Sequence, residues 1–372
     1  MKVHLNLRDL LPMVDIIQGI MHRKLPKKSQ ARIYSKTEST EITGDRYLLI
    51  GVDGSVKMRM SIDCNIEIHG GLNIPIKIFY IVLRNLIVQP MTIEYKDYQL
   101  HIISGMTMIR LLASAENPLP SFPSMKIGEY VELPSLFLMD MIGKTIITAG
   151  EGENKFNLTG VKIIKEGNYL SFIATDGHRL SLITKRLKFK SFFLNESIVI
   201  PKRGLLELTR FIRYYGEINV KIFVGPEIVI FKFVNNTIAV RKVIGGYPEY
   251  SQVIPTNYVQ LLIVTKENML GALRRVSAIT SSKYQYLTIE IRDNKLRVSC
   301  FNEKYGIVEE FVNVKFNGAL KRVEFNANYI VSGVASIDEE IIAIKIIDIQ
   351  SPISISGLKN NNHIHLIMPV KL

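Results

Sequence analysis

Apolar residues follow two rhythms along this chain, and the change from one to the other recurs three times. In VHLNLRDLLPMVDII (Val3–Ile17) they first fall on every second position and then shift to helical spacing. The same change occurs in YVELPSLFLMDMIGK (Tyr130–Lys144) and in VQLLIVTKENMLGALRRV (Val259–Val276). A period of two lines one face of a strand, and steps of three and four line one face of a helix. Each run therefore predicts a strand feeding directly into a helix. Asp9, Ser135 and Asn268 stand near the three switches and are the expected N-caps. Pro12 is expected early in its helix, where a missing N–H costs least.

A second strand-to-helix module sits in the middle of each copy. It reads NIPIKIFYIVLRNL from Asn73, SIVIPKRGLLELTRFI from Ser197 and RVEFNANYIVSGVASI from Arg322. Asp9 and Ser135 are 126 residues apart, and so are Pro75 and Pro201. Two landmarks that keep one spacing mark an internal repeat. Phe122–Pro123, Tyr247–Pro248 and Met368–Pro369 close the copies, and PLPSFPSM and GGYPEYSQVIPTN read as linkers. The expected domains are residues 1–126, 127–253 and 254–372. The remaining segments are strand-like, with hairpin chemistry at Val52–Asp53–Gly54 and Arg292–Lys295. Each copy thus holds two helices and about eight short strands, an α+β domain with helices packed on antiparallel sheets.

Composition adds a partner class. Of 372 residues, 47% are hydrophobic and 22% charged, which excludes a globally disordered chain. Forty-seven Lys and Arg against 34 acidic residues leave a net +13, which suits a polyanion such as nucleic acid. Cys64 and Cys300 form no C-x-x-C pair, so neither a disulfide framework nor a zinc site is implied and a reducing compartment fits. The N-terminus lacks the apolar run of a signal peptide, and no window is apolar enough to span a membrane.

The charge has a pattern in the second-module helices. Leu205, Leu208, Ile212 and Tyr215 recur at helical spacing and are expected to face a sheet, with Arg203, Glu207, Arg210 and Tyr214 on another face. Lys77 and Arg84 occupy the positions of Arg203 and Arg210 one repeat earlier, while Asn328 and Ala335 break the pattern in the third copy. A recurring basic stripe suits phosphate contact without base reading. Ion pairs of Glu207 on a wet face are the alternative.

ATDGHRL, with Asp176, Gly177 and His178 together, raises an enzyme reading. A hydrolase would need a nucleophile or metal set beside it, but Ser181 lacks an elbow context and no second His or Cys lies at ligand spacing. The segment reads as strand, tight turn, strand, with no catalytic residue, metal or cofactor.

ATDGHRL, SIVIPKRGLLELTRF, YPEYSQVIP and the terminal LIMPVKL together resemble the bacterial DNA polymerase III β subunit family, the sliding clamps. The resemblance spans the whole chain. It implies a cytoplasmic, non-catalytic homodimer of three-domain subunits, closed head to tail around duplex DNA. Helices would line the hole, and the ring would tether the replicative polymerase. The implied partners are duplex DNA, the polymerase catalytic subunit, a clamp loader and other clamp-binding-motif proteins. A duplex-binding protein that wraps DNA without closing is the alternative.

The resemblance also assigns residues. Arg23, Lys24, Lys77, Arg84, Lys202, Arg203 and Arg210 are the expected DNA contacts, with Lys27 and Lys28 near the first two. The implied peptide pocket takes Leu158, Thr175, Gly177, His178, Arg179 and Leu180 from the second copy. Pro248, Gln252 and Val253 join from the linker, and Leu366, Ile367, Met368, Pro369, Val370, Lys371 and Leu372 from the terminus. Gln252 replaces a residue that is often basic, and Asn157 one that is commonly aromatic, so pocket affinity is expected to differ. The dimer interface would use Ile109 and Leu111 against Ala278 and Ile279, with the small Ala278 expected to weaken it. The net +13 departs from an acidic pattern and implies a basic outer face with raised affinity for free DNA.

Overall fold

The computed structural model describes residues 1–20, 29–37, 45–53, 56–87, 89–113, 130–151, 158–187, 197–233, 236–255, 257–280, 285–292, 294–318 and 322–370, with backbone alone at 20, 29–37, 45–53 and 292. The chain begins with β1 (Lys2–Asn6), α1 (Leu7–Ile20), β2 (Ser29–Thr37), β3 (Asp45–Asp53), β4 (Val56–Asp63), β5 (Asn65–Ile68), β6 (Gly70–Ile74), α2 (Ile76–Arg84), β7 (Pro90–Lys96), β8 (Gln99–Ser104) and β9 (Thr107–Leu112). It continues with β10 (Val131–Pro134), α3 (Ser135–Thr145), β11 (Gly160–Glu166), β12 (Tyr169–Thr175), β13 (Arg179–Arg186), β14 (Ile198–Pro201), α4 (Lys202–Tyr215), β15 (Asn219–Val224), β16 (Ile228–Phe233) and β17 (Asn236–Arg241). The last stretch holds β18 (Gln260–Thr265), α5 (Lys266–Ser277), β19 (Tyr286–Arg292), β20 (Lys295–Asn302), β21 (Gly306–Asn313), β22 (Lys315–Asn317), β23 (Arg322–Asn326), α6 (Ala327–Ser336), β24 (Ile341–Ile346), β25 (Ile353–Gly357) and β26 (His363–Ile367).

Two compact units form, one chiefly from residues 1–139 and 203–242, the other chiefly from 140–190 and 243–372. The first contains a five-stranded sheet, β5-β1-β7-β8-β9, and an eight-stranded sheet, β10-β15-β16-β17-β4-β3-β2-β6. In α1, Leu7, Leu10, Val14 and Ile17 lie on one face and are fully buried. The side chains Ile76, Phe79 and Leu83 do the same on the adjacent α2. Strand β4 alternates as its sequence demands, with Val56, Met58 and Met60 inside.

The second unit contains the nine-stranded sheet β14-β11-β12-β13-β26-β25-β24-β18-β22 and the four-stranded sheet β21-β20-β19-β23. Here α5 and α6 pack side by side. Met269, Ala272, Leu273 and Val276 of α5 and Ile330 and Val334 of α6 share one core with Leu287, Val298, Phe325 and Ile344. Each large aliphatic side chain buried this way contributes roughly 1.5–3 kcal/mol. The fold is α+β, and each second-module sequence does run from a strand into a helix: β6 into α2, β14 into α4, β23 into α6.

The expected caps are corrected. Asn6, not Asp9, caps α1: its Oδ1 accepts from the Arg8 N–H at 2.9 Å. Ser135 is the first residue of α3, and its hydroxyl donates to the Gly216 carbonyl and accepts from the Ile218 N–H, each at 3.0 Å. Asn268 lies inside α5, whose N-cap is Thr265. Strand and helix are fused without a loop, so the extended last strand residue already occupies the cap position and the helix starts before the polar residue that was expected to begin it. Pro12 is consequently the sixth residue of α1, beyond the first turn, and removes the N–H that would meet the Arg8 carbonyl.

Strand β26 carries two buried histidines that set a pH limit. His363 Nε2 lies 3.1 Å from Ser181 Oγ. Burial, with the nearby Lys144 ammonium adding, lowers His363 to about 4; burial, with His363 adding, lowers His365 to about 3. Both are neutral in the folded chain, whereas an unfolded histidine takes up a proton near pH 6.5. Their contribution is therefore complete above pH 6.5 and is lost as pH falls toward 4 and 3. Between pH 7.5 and pH 5 each histidine is expected to cost about 2 kcal/mol. Urea midpoints measured across this range check it, and His365→Asn should flatten the loss.

Candidate functional site

The site is built around the turn between β12 and β13. Asp176 Oδ1 accepts from the backbone N–H groups of His178 (2.9 Å) and Arg179 (3.1 Å), and Oδ2 accepts from Arg179 Nε at 2.9 Å. Thr175 Oγ1 donates to the Arg179 carbonyl at 2.7 Å and accepts from the Gly177 N–H at 3.0 Å. Gly177 has φ of 89°, a conformation that side chains other than glycine's resist. The Asp176 carboxylate thus organises a turn, as short polar side chains do at such positions. Arg179 is held further by Ser332 Oγ at 3.1 Å and by the Tyr329 ring, 4.2 Å from its guanidinium carbon.

The turn fixes the C-terminal segment. Strand β13 pairs with β26, setting Leu180 opposite Leu366, and the Met368 N–H donates to the His178 carbonyl at 2.9 Å. Between these elements and the linker lies a cavity of about 150 Å³. Leu158, Thr175, Gly177, His178, Arg179 and Leu180 line one side; Pro248, Glu249, Tyr250 and Val253 line another; Pro352, Leu366 and Met368 complete it. Leu180 and Leu366 share a buried cluster with Ile173, against which Tyr247 and Tyr250 pack. Burial pushes both phenols above their ordinary range. The Lys162 ammonium lies 5.5 and 5.4 Å from the two ring centres, within cation–π range. Such a wall of leucine, valine, proline and methionine can take apolar side chains, with Met368 able to repack around them.

Most of the expected pocket residues are brought together here. Gln252 is exposed and does not line the cavity, Ile367 is fully buried in the core, and Pro369 and Val370 are half-buried beside it. Lys371, Leu372 and Asn157 lie outside the described residues. Glu249, Tyr250 and Pro352 line the cavity without having been expected. The YPEY run could have suggested the first two; Pro352 comes from a distant segment, and nothing in its neighbourhood marks it.

The turn makes a testable distinction. Asp176→Ala removes three acceptor contacts of a charged group and is expected to cost about 1–3 kcal/mol of stability. His178→Ala, at an exposed position whose backbone carbonyl does the anchoring, should cost less than about 0.5 kcal/mol. Chemical denaturation of the two variants checks this order.

The expected basic contacts divide into groups. Lys77 and Arg84 are exposed on α2, and Arg84 engages the Tyr80 hydroxyl, which is also bonded to Asp15. Lys202 Nζ is 2.6 Å from Glu151 Oε1. Arg203 is half-buried, and Arg210 Nη1 lies 2.9 Å from Glu207 Oε2. Glu207 is itself buried, which raises its carboxyl above the usual range, while Arg210 stays about half exposed: the expected i,i+3 ion pair forms, with only its arginine end on a wet face. The Arg210 guanidinium rests on Gly19 of α1, where a methyl would collide with it. Arg23, Lys24, Lys27 and Lys28 lie outside the described residues.

Ile109 and Leu111 are on β9, the edge of the five-stranded sheet, and are half-buried. Ala278 and Ile279 follow α5. Edge strand β21 also carries Ile307 and Phe311, both exposed, which were not expected. The run GIVEEFVN carries its apolar residues in adjacent pairs, Ile307–Val308 and Phe311–Val312, not in alternation, so period two did not mark this edge.

Among the described residues no group of three or more His, Cys, Asp and Glu side chains is arranged to hold a metal, and no helix is long and apolar enough to cross a membrane.

Comparison with known proteins places this geometry. Residues 132–249 match the family model for the central domain of the DNA polymerase III beta subunit, and residues 251–371 match its C-terminal domain. The Beta sliding clamp of Haemophilus influenzae is 24% identical over 334 residues, covering 89% of this chain and 90% of that protein. That of Synechococcus elongatus is 24% identical over 359 residues, covering 95% and 96%. The crystal structure of the DNA polymerase sliding clamp from Bacillus subtilis aligns over 100% of this chain and 99% of its own, with a TM-score of 0.91 at 20% identity, a likeness of fold. With two consecutive domain models matched across most of its length, the chain belongs to the DNA polymerase III beta subunit family.

Proposed function

We propose that two copies of this chain close head to tail into a ring around duplex DNA and tether the replicative polymerase to its template. The observation that carries this is a pair of open sheet edges with apolar side chains. Among the described residues, strand β9 pairs with β8 alone and exposes Met108 and Leu112, and strand β21 pairs with β20 alone and exposes Ile307 and Phe311. An unpaired, apolar edge invites another strand. Setting β9 of one copy beside β21 of the next makes a heterologous contact that closes as a ring of two, with Ile109, Leu111, Ala278 and Ile279 at the join. The proposed domains are residues 1–126, 127–253 and 254–372; the matched models support the second and third.

Enclosure makes tight binding unnecessary. DNA contact then falls to side chains that meet phosphates weakly and without base reading. Lys77 and Arg84 are best placed for this; Lys202, Arg203 and Arg210 contribute less charge where Glu151 and Glu207 offset them. Arg23 and Lys24 join them in the proposal. The cavity at the DGHR turn receives an apolar peptide segment of the polymerase catalytic subunit, the clamp loader or another partner, and the loader opens the ring. No catalytic step is assigned, since the Asp176 carboxylate is committed to the turn.

The test is retention on DNA topology. After incubation with loader, ATP and nicked circular plasmid, the chain should co-elute with DNA through gel filtration and be lost when the plasmid is cut once. Equal retention before and after cutting would favour wrapping without closure.

A further inference from the structure

One wall of the apolar cavity is attached to the fold by side chains alone. Residues 244–254 lie between β17 and β18 and supply Pro248, Glu249, Tyr250 and Val253 to the lining. Among the described residues, the backbone hydrogen bonds of this segment stay inside it: the Val253 N–H donates to the Tyr250 carbonyl at 3.2 Å and the Ile254 N–H to the Ser251 carbonyl at 3.3 Å. Its hold on the sheet comes from Tyr247, Tyr250 and Ile254, which pack against Ile173, Leu180 and Leu366. The Tyr247 hydroxyl donates to the Ile173 carbonyl at 3.4 Å, a long bond. The seating of the two tyrosines therefore sets where this wall stands.

Lys162 of β11, opposite Ile173 of β12, acts on both rings. Its ammonium lies 5.5 Å from the Tyr247 ring centre and 5.4 Å from that of Tyr250. Among the described residues this ammonium makes no salt bridge and no hydrogen bond, and Glu249 meets its charge only at longer range. One half-buried cation shared by two rings gains two attractions for the ordering of a single side chain. Lys162 is not among the lining side chains, so it reaches a bound segment only through the tyrosines. We propose that Lys162 is a positioning residue for peptide capture, fixing the linker wall of the cavity before the peptide arrives. The proposal rests on the reading that this cavity receives an apolar peptide segment. A wall already in place removes an ordering cost from binding.

Fluorescence anisotropy of the full chain with a labelled peptide copying the clamp-binding motif of the polymerase tests this. Lys162→Gln removes the charge and is expected to weaken capture about fivefold or more, whereas Lys162→Arg, whose guanidinium also sits on aromatic rings, should bind within about twofold of the native chain. In a Tyr247→Leu, Tyr250→Leu background, Lys162→Gln should add no further loss, because the rings through which it acts are gone. Urea midpoints of the two Lys162 variants are expected to match each other, which separates positioning from folding. Native-strength capture by Lys162→Gln, equal losses in the Gln and Arg variants, or an undiminished loss in the ringless background would overturn the proposal. If the native chain captures no peptide, the reading of the cavity fails and the proposal with it. If Met368→Asp abolishes capture while Lys162→Gln leaves it intact, the proposal alone fails.

Discussion

Phe311→Asp is expected to give a folded chain that sediments as a monomer at concentrations where the native chain is a dimer. Phe311 is 60% exposed on β21, so nothing in the core depends on it. Among the described residues, strand β21 is bonded to β20 alone, from Lys295↔Asn313 to Asn302↔Gly306. Its outer side is free to pair with β9 of a second copy, and Phe311 with Ile307 would supply the apolar contact beside the backbone ladder. Truncating an aromatic anchor at an interface typically costs 2–4 kcal/mol, and a buried unpaired carboxylate adds to it. Dimer dissociation should therefore strengthen by on the order of 100-fold. Sedimentation velocity over a dilution series reads this directly, with the thermal midpoint as the control for folding. A dimer of native strength would mean that β21 is not the joining edge.

Met368→Asp is expected to abolish peptide capture without opening the fold. Met368 is 37% exposed at the cavity mouth, and its anchoring contact is made by its backbone N–H. The substitution thus keeps the hydrogen bond to the His178 carbonyl and replaces an adaptable apolar wall with a charge. An aspartate facing apolar peptide side chains must lose water without gaining a partner. The expected loss of affinity is on the order of 100-fold. Fluorescence anisotropy with a labelled peptide copying the clamp-binding motif of the polymerase reads it. Val253→Asp, on the linker side of the cavity, should act in the same direction; His178→Ala should weaken binding less, because the wall keeps its leucines.

The elements that were legible in the sequence are those whose side chains alternate in one rhythm. Leu205, Leu208 and Ile212 announced the buried face of α4, and all three are buried. The burial of Glu207 was not legible because α1, far away in sequence, lies against it: Gly19 sits beside both the Glu207 carboxylate and the Arg210 guanidinium that pairs with it. The caps were placed too late because propensity marks polar residues, whereas a strand fused to a helix uses whichever residue ends the strand. Asn326 shows the rule where residue and position coincide: it ends β23 and its Oδ1 accepts from the Asn328 and Tyr329 N–H groups. In the cavity, the DGHR turn was readable as a turn from Asp and Gly alone. Pro352 was not, because it reaches the turn only through two successive strand pairings, β25 with β26 and β26 with β13, and such pairing leaves no local trace.

The central claim is that the chain holds DNA by surrounding it. The most direct measurement is the dwell time of loaded protein on linear duplex whose ends are either open or capped by bulky blocks, followed on single molecules at physiological salt. Enclosure predicts rapid loss over open ends and a residence prolonged at least tenfold by the blocks. Equal dwell times on the two substrates would contradict it.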